Sequence, residues 1–143
     1  MPIRILIYED NAQLRESITA LISLSEDFQL LGSFGDVLKV EAQVQALSPE
    51  VILMDIDLPG INGIYAVRKI REFNSEVAII MLTVFDDNKH VVDAIFAGAS
   101  GYLLKMHIPE KLLESVKEVN AGGAPMSPGI ARMVIQKLQQ LPE

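Results

Sequence analysis

Apolar runs and amphipathic stretches alternate along this chain. Ile3–Tyr8 (IRILIY) is rich in β-branched residues and predicts a strand. Leu14, Ile18, Leu21 and Ile22 then recur at helical spacing. Phe28–Phe34 predicts a second strand, and Val37, Val40, Val44 and Leu47 a second helix, which Pro49 breaks. Val51–Met54 (VILM) is a short, wholly apolar third strand. Pro59, Gly60 and Gly63 then mark a loop before the helical stripe of Ile64, Val67 and Ile70. Val77–Leu82 predicts strand four. Val92, Ile95 and Phe96 predict a helix ending near Gly98, Tyr102–Leu104 strand five, and Leu112, Val116 and Val119 a fifth helix.

Five strand–helix units imply an α/β domain with a parallel sheet covered on both faces. The uninterrupted apolar character of strands one, three and four fits central parallel strands. The tail differs. Ala121-Gly-Gly-Ala-Pro125 reads as a turn or short linker. Ser127 and Pro128 form a helix start, with Ser as N-cap and Pro in the first turn. Ile130, Val134, Leu138 and Leu141 then line one face, which needs something apolar to lie against.

Composition narrows the class. The 143 residues suffice for one domain, and half of them are hydrophobic, which argues against disorder. There is no cysteine, so a thiolate metal site, a disulfide framework and a Cys nucleophile are excluded. No apolar run approaches the ~18 residues of a membrane helix, and Met-Pro-Ile-Arg opens into a strand without signal-peptide architecture. A cytoplasmic protein with no membrane association is expected. The net charge of −7 makes the chain a poor direct ligand for a phosphate backbone, although many soluble domains are as acidic.

In open parallel sheets, ligands sit beyond the carboxyl ends of the strands. Here those ends carry Glu9-Asp10, Asp55, Thr83 and Lys105. Three converging carboxylates repel one another unless a cation or a raised pKa relieves them. A hard dication with oxygen ligands suits such a set, and Mg²⁺ suits few carboxylates plus phosphate oxygens. A carboxylate can attack phosphorus, and Asp55 sits at the end of a buried strand. Lys105 would supply a second positive charge and Thr83 a hydrogen bond to a phosphoryl oxygen. Taken singly, each residue has an ordinary explanation: Glu9 and Asp10 as helix caps, Asp55 as a turn residue, Thr83 as a β-branched strand end, Lys105 as a solvated lysine and Tyr102 as packing. Their joint arrival at one edge does not.

Glu9-Asp10, Asp55 within MDIDLPGINGI, Thr83 within MLTVFDD and AGASGYLLK ending at Lys105 resemble the receiver domain of two-component response regulators. The resemblance covers about residues 1–121. It implies a flavodoxin-like (βα)5 doubly wound sheet of strand order 2-1-3-4-5, here with an additional C-terminal helix. It implies Asp55 as phosphoacceptor, with Asp10 and Asp55 binding Mg²⁺, Glu9 helping through water and the Asp57 carbonyl completing the ligands. Lys105 would contact the phosphoryl group, Thr83 would move toward it and Tyr102 would turn inward. The donor would be a sensor histidine kinase or a small acyl phosphate. Such a domain catalyses its own phosphorylation and dephosphorylation but is primarily regulatory. It would form a homodimer on phosphorylation.

GASGYLLK followed by GGAPMSPGIARMVIQKL is similar to regulators carrying a LuxR-type helix-turn-helix. Residues 122–143 are therefore expected to be a linker and helix leading to a DNA-binding domain outside this chain, with DNA reached only through that domain; a stand-alone receiver with an extra helix is the alternative. Two positions depart from the pattern: Val84 stands where a small residue is common, and Met106 where proline is common. Asp57, Val84 and Phe85 are expected to tune the phosphoryl lifetime, Phe85 by shielding the group from water. Two other readings compete. Asp55-Ile-Asp57 mimics the DxD of haloacid-dehalogenase-like phosphatases, although that motif belongs after the first strand. A pseudo-receiver that only binds partners would not need the full acid, Thr and Lys set.

Overall fold

The computed structural model describes residues 1–142. Five parallel strands form one sheet in the order β2-β1-β3-β4-β5. They are β1 (Ile3–Tyr8), β2 (Phe28–Phe34), β3 (Val51–Asp55), β4 (Ala78–Thr83) and β5 (Gly101–Leu104). Between them run α1 (Ala12–Ser23), α2 (Val40–Leu47), α3 (Gly63–Phe73) and α4 (Asn88–Ala97). A single 3₁₀ turn, Lys105–His107, joins β5 to α5 (Ile108–Asn120), and α6 (Pro128–Gln140) follows. The expected strand order and extra helix are both present.

Every residue of β3 is buried, as expected for a strand covered on both faces. One core cluster lies under α2, α3, α4 and α6 and contains Tyr8, Ile52, Met54, Val67, Val91, Tyr102 and Ile130. The other lies under α1 and α5 and contains Ile5, Leu53, Leu82, Leu112 and Val116. Alternate residues of one strand thus serve opposite layers.

Local chemistry shifts some expected boundaries. Val37 is buried but precedes α2, because the Asp36 carboxylate accepts the Leu38 N–H and holds a turn there. Strand four begins at Ala78, not Val77, because Asn74 Oδ1 accepts the N–H groups of Glu76 and Val77 (both 2.9 Å). Strand five gains Gly101.

Two helical faces also differ from the expected stripes. On α4 the buried residues are Val91, Ala94 and Ala97, while Phe96 is half exposed. Small residues such as these alanines leave little trace in an apolar pattern. On α6, Ile130 is buried and Met133 and Val134 pack on the core, but Leu138 and Leu141 remain exposed and Leu141 lies past the helix end. Only the first half of α6 finds its apolar surface, against α4. Ser127 caps the helix as expected, its hydroxyl accepting the Ile130 N–H at 3.2 Å.

Candidate functional site

The carboxyl ends of β1, β3, β4 and β5 bring the expected residues to one rim. Asn11 caps α1, accepting the Leu14 N–H at 3.0 Å, so the chain turns sharply after β1 and leaves Glu9 and Asp10 over the sheet edge. Glu9 is fully buried; its Oε2 accepts the Asn11 N–H at 3.0 Å, and the Arg15 guanidinium donates to its carbonyl at 2.6 Å. Capping and site-building are therefore both true of Glu9. Asp10 is exposed at the mouth. Asp55 ends β3 with only 2% of its surface exposed, and its Oδ1 accepts the Asp57 N–H at 3.3 Å.

Carboxylate oxygens of Glu9, Asp10 and Asp55 lie within 4.8 Å of one another. Lys105 Nζ sits 2.8 Å from Glu9 Oε1 and 3.1 Å from Asp55 Oδ2. One ammonium thus pairs with two of the three acids. Glu9 Oε1 is buried, and the Lys105 ammonium 2.8 Å away is its one close polar partner among the described residues. Burial first, and the Glu9 charge second, push the Asp55 carboxyl up to about 7, against the opposing pull of Lys105. Burial alone would lower Lys105, but its hydrogen bond to Glu9 and the Asp55 charge outweigh that and raise it. This oxygen-only, anionic donor set, with three carboxylates within 4.8 Å and a buried oxygen met only by an ammonium, fits a hard divalent cation such as Mg²⁺. Asp57 is exposed and contributes no carboxylate to the cluster.

Thr83 is buried at the end of β4, and its Oγ1 accepts the Phe85 N–H at 3.1 Å. Tyr102 is already inside, 1% exposed, with its hydroxyl donating to the Phe85 carbonyl at 2.7 Å. Burial, then the nearby Asp87 charge, raise its pKa, so it stays a donor. The Phe85 ring stacks on His90, centroids 4.1 Å apart, and His90 Nδ1 lies 2.7 Å from Asp87 Oδ1. Val84 and Met106 are largely exposed beside the mouth, and the Lys105–Met106 peptide bond is trans.

Sequence reasoning passed over Arg15 and treated Gly63 only as a loop marker. A Cβ on Gly63 would lie 1.8 Å from the Asp55 carbonyl oxygen, so α3 reaches β3 this closely only because the residue is glycine. A signal existed: glycine is a poor helix former, yet it opens α3 directly after the capping Asn62. Arg15 lies one and a half helical turns past Asp10, a spacing too common to stand out.

A five-stranded doubly wound sheet with an acidic, lysine-countered pocket at its carboxyl rim defines a class of regulatory phosphoacceptor domains. The chain belongs to the response regulator receiver domain family, which it matches over residues 5–117. It is 32% identical over 139 residues to the transcriptional regulatory protein DegU of Brevibacillus brevis, covering 97% of this chain and 59% of that protein. It is 31% identical over 138 residues to the nitrate/nitrite response regulator NarL of Escherichia coli K12, covering 96% of this chain and 64% of that protein. The chain therefore spans about three fifths of these relatives' length. A LuxR-family two-component response regulator from Aurantimonas sp. superposes with a TM-score of 0.88 at 28% identity, covering 98% of this chain and all of that one. Family membership and the position of Asp55 after the third strand together disfavour the phosphatase reading.

Proposed function

We propose that this chain is a phosphorylation-controlled switch that accepts a phosphoryl group on Asp55 and passes the change to a transcriptional output domain. The observation that carries the reading is the buried Asp55 carboxylate, crowded by Glu9 and Asp10 and held by Lys105. An Asp55 oxygen attacks phosphorus as the bond from phosphorus to the donor breaks. From a kinase phosphohistidine the leaving imidazole then takes a proton; from an acyl phosphate a carboxylate departs. Glu9, Asp10, Asp55 and the Asp57 carbonyl would hold Mg²⁺, which supplies charge neutralisation for the transferred group. Lys105 offers its ammonium to a phosphoryl oxygen, and the Thr83 hydroxyl can leave the Phe85 N–H to donate to another.

The group brings roughly one additional negative charge to Asp55. Arrangements in which Thr83 and Lys105 meet that charge gain population by the difference in interaction energy. Phe85, Val84 and Asp57 border the site and would set the lifetime of the group; replacing Phe85 with Ser is expected to speed its loss severalfold. A sensor histidine kinase as donor, a cytoplasmic location, self-association on phosphorylation, and DNA reached through a domain beyond residues 122–143 follow the same reading. Among the described residues no helix is long and apolar enough to cross a membrane.

Incubation with Mg²⁺ and acetyl phosphate, followed by intact-mass measurement, tests the proposal. One phosphoryl adduct is expected on the native chain and none on Asp55→Ala. An adduct that survives the substitution, or none on either, would refute it.

A further inference from the structure

After α5 the chain turns back along the free edge of β5. The Tyr102 N–H donates to the Pro125 carbonyl at 2.9 Å. A Cβ on Gly101 would lie 2.8 Å from Pro125 Cγ and 2.9 Å from its carbonyl oxygen, so glycine is what lets the strap come this close. Residues 124–126 thereby cover an edge strand that would otherwise present unpaired backbone groups. The strap delivers α6 to α4, and Ile130 is 3% exposed in the same cluster as Tyr102, Val91 and Ala94.

Tyr102 stands where three elements meet. Its N–H is bonded to the strap, and its ring shares a buried cluster with α4 and α6. Its hydroxyl is bonded to the Phe85 carbonyl, while the Phe85 N–H is bonded to Thr83 Oγ1. An unbroken series of hydrogen bonds and packed side chains therefore runs from the phosphoacceptor rim to α6. Ile130 of α6 lines the same hollow as Tyr102.

We propose that the strap at residues 124–126 and α6 form a clasp coupled to the Asp55 site through Tyr102, so that docked α6 holds Tyr102 inside and loading Asp55 tightens α6 on α4. The proposal rests on Asp55 being the phosphoacceptor. Thr83 drawn toward a phosphoryl group vacates space beside Phe85, and an inward Tyr102 keeps that space filled. The surface offered to a partner on this side is then α6 itself and not the bare edge of β5. Coupling between two sites is reciprocal, so whatever loading does to the clasp, the clasp does to loading.

Hydrogen–deuterium exchange of the full chain tests this, with Mg²⁺ alone and with Mg²⁺ plus beryllium fluoride as the phosphoryl mimic. Loading is expected to slow exchange across α6 by a factor of about 5 or more, the low end of ordinary allosteric coupling. Gly101→Ala, which pushes on Pro125, and Ile130→Asn, which leaves β5 untouched, should each speed exchange in α6 and weaken the beryllium fluoride complex by a matching factor. Unchanged or faster exchange in α6 on loading overturns the proposal. So does a freed α6 with unaltered beryllium fluoride affinity. If the native chain takes neither beryllium fluoride nor an acetyl phosphate adduct, the phosphoacceptor reading is what fails. The clasp is then judged on the variants alone: freeing α6 must also speed exchange in residues 84–87, which Tyr102 joins to the clasp through the Phe85 carbonyl, and unchanged exchange there overturns it.

Discussion

The two ends of the sheet carry similar residues and do different things. At the amino ends of the strands, Arg4 and Glu50 form an ion pair at 3.5 Å with side chains 41% and 39% exposed, beside a cavity of about 800 Å³ that Asn74 and Asn120 also line. At the carboxyl ends, Glu9, Asp55 and Lys105 pair at 2.8–3.1 Å, with the two acids almost fully buried. That hollow is the poorer candidate, because water there screens its charges. The carboxyl rim forces like charges together out of water, and that stored repulsion is what a cation and a phosphoryl group can use.

If burial is the difference, removing one charge should cost far more at one end than at the other. Lys105→Met leaves two buried carboxylates unneutralised and is expected to lower stability by about 3 kcal/mol at neutral pH, measured by urea unfolding. A loss below about 1 kcal/mol would erase the contrast between the ends.

Asp55→Asn should act in the opposite direction. The folded chain holds the Asp55 proton up to about 7, whereas an unfolded aspartate releases it near ~3.9. Between those values the folded state binds more proton than the unfolded one, so stability falls as pH rises through about 7. The substitution is expected to stabilise the fold by on the order of 2 kcal/mol at about pH 8, with the gain gone near about pH 4. A gain that does not vary with pH would assign the effect to something other than this carboxylate. Arg4→Met, at the other end, should change stability by under about 1 kcal/mol, and a cost as large as that of Lys105→Met would mean exposure does not separate the two rims.

Much of this contrast is written in the sequence. Continuous apolar strands imply the parallel sheet, and the rule that ligands gather at carboxyl ends places Glu9, Asp10, Asp55, Thr83 and Lys105 together from the sequence alone. What escaped was what depends on neighbours. The stripe on α6 declared an apolar need without saying that α4 would meet only its first half, leaving Leu138 and Leu141 exposed. On α4, Val91, Val92, Ile95 and Phe96 offer overlapping stripes, and the deciding contacts come from Ala94 and Ala97, whose small side chains barely register as hydrophobic. Gly63 read only as a loop marker and Gly101 only as part of the GASGYLLK motif, yet each is required by a backbone passing close beside it: Asp55 in one case, Pro125 in the other.

The titration of the Asp55 carboxyl, followed by carbon-13 NMR, bears most directly on whether crowding at the carboxyl rim is real. In metal-free protein the midpoint is expected at about 7. Saturating Mg²⁺ should pull it down below about 5, as a cation placed among the carboxylates must. A midpoint near ~4 without metal, unmoved when Mg²⁺ is added, would contradict the account.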